Sequence, residues 1–320
     1  MKGETIMALG ANANTLDKIK NEGVLPKAMA TKIMTDAFKG SIAGSLAGTI
    51  PMPITGASIA FTTGDPVAGI VGEGELKPVS KAGVTVKSTR PIKAATVMYW
   101  SKEARQANPL AYLNMLEAQA REAVSRAIDM AVIHGKNALT DTEIAGVEPI
   151  VKTSNSVTLG TATAASGGLT ADLLSGYELV TNHKGKITGW AGDERMRLKL
   201  FQAVDTYGRP IYSNTARGGV DLNDPMGDLL GLPLTYGDAV CGHIGAVNDT
   251  KIRLIGGDFK NNIQFGYVEN ITVRKSDQAT ITDGSTVINL WQQNMEAFIV
   301  ECQFGWIIRD VNEFVLYKVA

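Results

Sequence analysis

Cysteine is nearly absent: Cys241 and Cys302 are the only two in 320 residues. Two thiols so far apart form neither a disulfide framework nor a zinc site, and a reducing compartment fits them best. Long apolar runs are missing as well. No stretch of about 18 apolar residues occurs, and the start, MKGETIMALGANANTLDKIK, has one early lysine with no apolar segment behind it. Neither a signal peptide nor a membrane span is expected. Net charge is close to absent too: at −1, the chain offers no global attraction to nucleic acid or to an anionic membrane. The content of hydrophobic residues, 44%, and of charged residues, 20%, is that of a folded globular protein, which excludes a wholly disordered chain.

Enzyme signatures are equally scarce. There is no GxxxxGK[ST], HExxH, GxSxG or CxxC, and no GxGxxG following a strand pattern. GEGEL at 72–76 is a charged fragment without that context. His134, His183 and His243 are distant from one another, and the first two fall near helix C-termini, where partial positive charge is favourable. Asp193 and Glu194 sit where a helix begins, and Glu73 and Glu75 lie on a polar segment, so capping and surface charge account for both carboxylate pairs. Trp190, Trp291 and Trp306 occupy strand-like positions and read as core, and Cys302 reads as an inert buried thiol. No catalytic residue, metal or cofactor is expected.

What the chain does contain is an unusual succession of parts. Residues 1–60 are rich in Ala, Gly, Thr, Ser and Asn, with a helix pattern over Lys27 to Phe38 and then GSIAGSLAGTIPMPITGAS. Such small side chains bury little apolar area by themselves, so the segment reads as an arm that needs a partner. From Ser58 to Lys93, SIAFTT, GIVGEGELKPV and GVTVKSTRPI read as strands of a long ribbon, with Lys81-Ala82-Gly83 at its tip. Over 70–93 it carries Lys77, Lys81, Lys87, Arg90 and Lys93 against Glu73 and Glu75. An isolated two-stranded ribbon is marginal in water, so a positively biased one suits an acidic surface on another chain.

NPLAYLNMLEAQAREAVSRAIDMAVIHGK follows, with Asn108 as cap, Pro109 in the first turn and Gly135 as terminator. Leu113, Leu116, Ala120, Val124, Ala127, Ile128 and Ala131 recur at helical spacing and form one apolar stripe. The middle, about 145–288, alternates helix patterns (TADLLSGYELV with Thr170 as cap, DERMRLKLFQAV with Asp193) with strand patterns (KITGWA, GLPLTYGDAV, IRLIGG, NITVRKS). In the C-terminal run Phe298, Val300, Cys302, Phe304, Trp306 and Ile308 alternate at period two, and Asp310 to Glu313 form a turn before FVLYKV returns as the second of a strand pair.

In this order the parts resemble the major capsid protein of tailed bacteriophages with the HK97-type fold. Local matches carry the resemblance: AIDMAVIHG at 127–135, YGRPIY at 207–212, DLLGLPLTYGDAV at 228–240, GGDFKN at 256–261 and FGWIIRDVNEFVLYK at 304–318. The resemblance implies an α+β fold: an N-terminal arm with its leading strand at 1–63, an extended loop at 64–97, a peripheral domain with the spine helix at 98–145, an axial domain at 146–288, and peripheral C-terminal strands at 289–320. It implies hexamers and pentamers of the chain closed into an icosahedral shell around double-stranded DNA, touched nonspecifically. A virion location, assembly in the host cytoplasm, a portal, and separate scaffolding or decoration proteins follow, with no membrane partner. The ribbon residues Glu73, Glu75, Lys77, Lys81, Lys87, Arg90 and Lys93 become inter-subunit contacts, completed by a neighbour. Some relatives join subunits by a Lys–Asn isopeptide bond, for which Lys77, Lys81, Lys87 and Lys93 are candidate donors and Asn289, Asn294 and Asn312 candidate acceptors. Two other readings stand beside it: an encapsulin-type compartment of the same fold, and a soluble α/β enzyme built on 170–260.

Overall fold

The computed structural model describes residues 41–62, 66–80, 83–107, 112–204, 207–209, 211–212 and 226–320. The helix pattern at Lys27–Phe38, Lys81 at the ribbon tip and the caps Asn108 and Pro109 lie outside the described residues.

A short helix, α1 (Ile42–Leu46), and a two-residue strand, β1 (Gly48–Thr49), lead into β2 (Ala57–Thr62), β3 (Val84–Thr89) and β4 (Ile92–Ser101). One turn of helix, α2 (Lys102–Gln106), precedes the long helix α3 (Tyr112–His134). Next come β5 (Ser156–Thr158), α4 (Gly168–Asn182), β6 (Gly189–Gly192) and α5 (Glu194–Gln202). The chain continues through β7 (Met226–Leu229), β8 (Leu232–Tyr236), β9 (Ile252–Gly257), β10 (Ile263–Ser276), β11 (Thr280–Asp283), β12 (Thr286–Asn289), β13 (Met295–Ile308) and β14 (Phe314–Lys318). They form a four-stranded sheet β1-β10-β13-β4, a six-stranded sheet β5-β14-β9-β6-β8-β7, and two hairpins, β2-β3 and β11-β12.

Two compact units divide the chain. In the first, which holds residues 93–125 and 269–303, a small apolar cluster of Tyr99, Ile288, Leu290, Met295 and Ala297 is joined by Ile281 of β11. The second holds residues 41–92, 126–268 and 304–320. Its core lies between the six-stranded sheet and the inner faces of α4 and α5: Leu173, Val180, Met196 and Leu200 meet Trp190, Leu234, Leu254, Val315 and Tyr317. Trp190 donates its indole N–H to the Leu229 carbonyl at 3.1 Å, and Tyr317 donates its hydroxyl to the Leu173 carbonyl at 2.8 Å. Both large rings therefore bury their polar atoms without leaving them unsatisfied.

Several expectations need correction. The strand returning after Asp310 does not fold back on β13: β14 runs antiparallel to β9, with Phe314 opposite Gly257, and parallel to β5, with Leu316 opposite Ser156. Its side chains are apolar on both faces, which suits a central strand better than the second arm of a hairpin. β10 is twice as long as NITVRKS suggests, because the Ile263–Glu269 stretch has no clean period-two pattern. GIVGEGELKPV is not a strand at all: it turns through Gly72–Glu75 with Gly74 at φ 83°, and Pro66 and Pro78 deny it a ladder. Thr170 lies inside α4, whose N-cap is Gly167 in the left-handed region, and its hydroxyl meets the Tyr212 hydroxyl at 3.2 Å. Asp193 does occupy the N-cap of α5, but its carboxylate accepts from Arg195 Nε at 2.7 Å instead of from the helix. Burial pushes its pKa above the ordinary value despite the two arginines beside it.

The stripe on α3 holds through Leu116, Ala120 and Val124, but from Ile128 to Gly135 every residue is buried. His134 is buried there with Nε2 2.9 Å from the Ala239 carbonyl, and burial lowers its pKa, so the expected favourable positive charge gives way to a neutral imidazole. Trp291 is 66% exposed, not core.

Close approach of α4 to β14 depends on Gly176, where a Cβ would collide with the Tyr317 hydroxyl. Gly176→Ala should lower stability by about 1–3 kcal/mol, and Tyr317→Phe, at a cost of about 1 kcal/mol alone, should recover part of that loss. Urea melts of the two single variants and the double variant measure the coupling; simple additivity would count against the collision.

Candidate functional site

The ribbon is where the chain departs furthest from a self-sufficient fold. β2 and β3 pair antiparallel over six residues each, Ala57 opposite Thr89 and Thr62 opposite Val84, and no residue of either strand is fully buried. Lys87 fixes its root by donating to Glu148 Oε2 at 2.7 Å and to the Ile308 carbonyl at 2.9 Å. Trp306 Nε1 donates to the Glu148 carbonyl at 2.9 Å and holds the acceptor residue in place.

Beyond the root, every residue of 66–80 is exposed. Its hydrogen bonds are local: Val67 N–H to Ser80 Oγ at 2.8 Å, and Gly72 N–H to Glu75 Oε2 at 2.9 Å. The charges dominate a reading of this sequence, yet the aliphatic side chains are the more consequential. Ile70, Leu76 and Val79 are 106%, 96% and 90% exposed. Burying each is worth roughly 1.5–3 kcal/mol, a gain the chain leaves unclaimed within itself.

The candidate contact residues therefore fall into two groups. Lys87 is tied to Glu148, and Lys93, on β4, pairs with Glu301 of β13, so both serve their own chain. Glu75 closes the turn at Gly72. Glu73, Lys77 and Arg90 make no ion pair among the described residues.

The candidate acceptors are equally distinct. Asn289 Oδ1 accepts from Gln292 N–H at 3.2 Å and Asn312 Oδ1 from Ser154 Oγ at 3.1 Å. Asn294, in the left-handed region at φ 51°, donates its side-chain amide to the Glu103 carboxylate. Cys302 is buried and its thiol is pushed up to about 11 by that burial, and Cys241 is buried with its pKa raised for the same reason, so neither offers a ready thiolate.

The beginning of the described chain is fastened by a group with no recognisable sequence signal. Asp129, buried on α3, accepts from Ser41 Oγ at 2.6 Å, Ile42 N–H at 2.9 Å and Ala43 N–H at 3.0 Å. Ser41 in turn caps α1 through Gly44 N–H at 3.1 Å. β1 then lies parallel to β10, Gly48 opposite Gln264.

Among the described residues, a ribbon with no hydrophobic partner and an arm clasped by a buried carboxylate describe a chain built to meet another surface. The model of the phage capsid family matches residues 22–319. The chain belongs to the phage capsid family. It is 30% identical over 308 residues to the probable major capsid protein gp17 of Mycobacterium phage L5, covering 92% of this chain and 89% of that one. The corresponding protein of Mycobacterium phage D29 is 28% identical over 298 residues, with the same coverage. A solved structure from Gordonia phage Cozz superposes with a TM-score of 0.76 at 28% identity, over 100% of this chain and 99% of the other.

The phage capsid chain thus has an HK97-like α+β fold and acts as a structural protein, the major capsid protein of a tailed phage. It is a component of the virion and assembles with copies of itself into a shell. These relatives favour a phage shell over an encapsulin-type compartment, and they replace the reading of 170–260 as an enzyme domain.

Burial pushes the Asp129 pKa up to about 6, against the ordinary 3.8, and outweighs the three hydrogen bonds that lower it. A carboxyl that binds its proton more tightly when folded penalises the folded state at neutral pH and releases that penalty as pH falls from about 6 towards 4. Asp129→Asn should therefore remove a rise in stability on acidification through that window. Urea midpoints of the two proteins at pH 7 and pH 4.5 provide the test; parallel pH dependence would contradict the assignment.

Proposed function

We propose that the shell is icosahedral, built from hexamers and pentamers, and that it encloses double-stranded DNA. The observation that carries this reading is the exposed segment 66–80, whose aliphatic side chains need a surface that another subunit supplies. Residues 64–97 act as the extended loop and 146–268 as the axial domain, and 269–288, which cluster with 93–125, join the peripheral domain. Residues 98–145 and 289–313 form the rest of the peripheral domain. Because β14 hydrogen-bonds to β9 and β5, we assign 314–318 to the axial sheet instead. Glu73, Lys77, Lys81 and Arg90 contact the neighbour, while Glu75, Lys87 and Lys93 shape and hold the loop that presents them.

A near-zero net charge supports a container wall that neither repels nor grips the packaged genome. Contact with DNA is nonspecific, and a portal, together with separate scaffolding or decoration proteins, completes the particle, which is assembled in the host cytoplasm.

The contact of Asn294 with Glu103 favours a covalent variant of this reading. Lys81, at the loop tip, attacks the Asn294 side-chain carbonyl of a neighbour. An amide bond forms, ammonia leaves, and Glu103 takes up the lysine proton. Lys87 and Lys93 are held in ion pairs of their own.

Replacing residues 67–79 by a short Gly-Ser linker should leave a folded chain, since their described hydrogen bonds are local, and should abolish particles in negative-stain electron microscopy. Normal shells from that variant would defeat the extended-loop assignment. Boiled particles of the unaltered chain should give a ladder of multimers on a reducing denaturing gel, each link lighter by one ammonia, and Asn294→Leu should erase it. A monomer band alone would dismiss the covalent step without touching the shell.

A further inference from the structure

The first compact unit contains a surface that matches the loop tip. β4 is the outermost strand of the four-stranded sheet, and among the described residues nothing pairs with its outer edge. Natural edge strands are usually guarded by proline, by charge or by a bulge. The middle of β4, Ala94-Ala95-Thr96-Val97-Met98, has no charge and no proline. Beside it lies a groove of about 290 Å³ lined by Val97, Tyr99, Ile281, Thr282 and Asp283, between β4 and the β11-β12 hairpin. Val97 is 46% exposed there, and Tyr99 donates its hydroxyl to Asp283 Oδ2 at 2.9 Å, which fixes a carboxylate in the groove wall.

We propose that this groove seats the loop tip of a second copy of the chain, with Leu76 entering between Val97, Tyr99 and Ile281 and Lys77 pairing with Asp283. The inference rests on the extended-loop reading above and names the surface that receives the loop.

Three features select this occupant. Leu76 is 96% exposed in its own chain and is followed directly by a cation, while Val97, Tyr99 and Ile281 give the groove apolar lining and Asp283 an anion in its wall. The groove has room for one or two aliphatic side chains, which is what the short Leu76–Val79 stretch offers. Loop and groove are different surfaces of one chain, so their contact is heterologous and repeats from subunit to subunit, as ring closure requires.

The double variant Leu76→Cys/Val97→Cys, assembled and mildly oxidised, tests the seat, because Cys241 and Cys302 are buried. Each copy donates one thiol and receives another, so a non-reducing denaturing gel should show multimers well beyond the dimer, and reductant should remove them. Leu76→Cys/Leu174→Cys is the control and should give none. Intact particles without a reducible ladder would overturn the groove and leave the shell reading standing. Normal particles from a chain lacking residues 67–79 would instead overturn the extended-loop reading on which the groove depends.

A charge exchange keeps the proposal open to refutation should the cysteines disturb assembly. Lys77→Asp and Asp283→Lys should each lower particle yield by roughly tenfold, the equivalent of about 1.4 kcal/mol, and the combined exchange should restore it. A double variant no better than either single one would overturn the pairing.

Discussion

A two-stranded ribbon that ends in exposed aliphatic side chains sets the terms for the rest of this subunit. Among the described residues none covers Ile70, Leu76 and Val79, so the free energy of burying them is open to a partner surface. The other elements then have a common task, to present that segment from a firm base. Lys87 accomplishes this at the root, where a charged amine bonded to both a carboxylate and a backbone carbonyl is harder to displace than an exposed surface ion pair.

The base itself owes its rigidity to the second unit. There β6 and β9 are buried along their whole lengths, and glycines allow large rings to cross the sheet: Gly256 lies against the Trp190 ring and Gly257 against Phe314. Close packing of this kind tolerates little change in volume. It also accounts for β14 joining a different sheet from β13, the strand that precedes it in sequence. Phe314, Val315, Leu316 and Tyr317 are all buried, and only a position between two other strands covers both of their faces.

Buried charge is used sparingly and with different outcomes. Asp249 meets Arg195 and Arg253 at 2.7 and 2.8 Å, and the hydrogen bond from Arg253 is the main reason its pKa falls below the ordinary carboxylate range. Asp193 touches the same two arginines but is more deeply buried, and desolvation prevails. Among the described residues no cation faces Asp129, which relies on neutral donors alone, and burial raises its pKa towards neutral pH.

The sequence by itself determined the class of the protein and the order of its parts. The ordered matches from AIDMAVIHG to FGWIIRDVNEFVLYK pointed to the family, period-two alternation from Phe298 to Ile308 marked β13, helical spacing marked α3, and the charged ribbon with no core of its own indicated a partner outside the chain. These features were legible because each depends on neighbours within a few residues. Only the tertiary structure decided the rest. That β14 joins β9 and β5, that Asp129 clasps Ser41 from 88 residues away, that Lys87 and Lys93 serve their own chain, and that Trp291 faces water are consequences of long-range packing. A local pattern records how a residue can sit in a strand or helix; which distant surface meets it is settled by shape and desolvation across the whole fold.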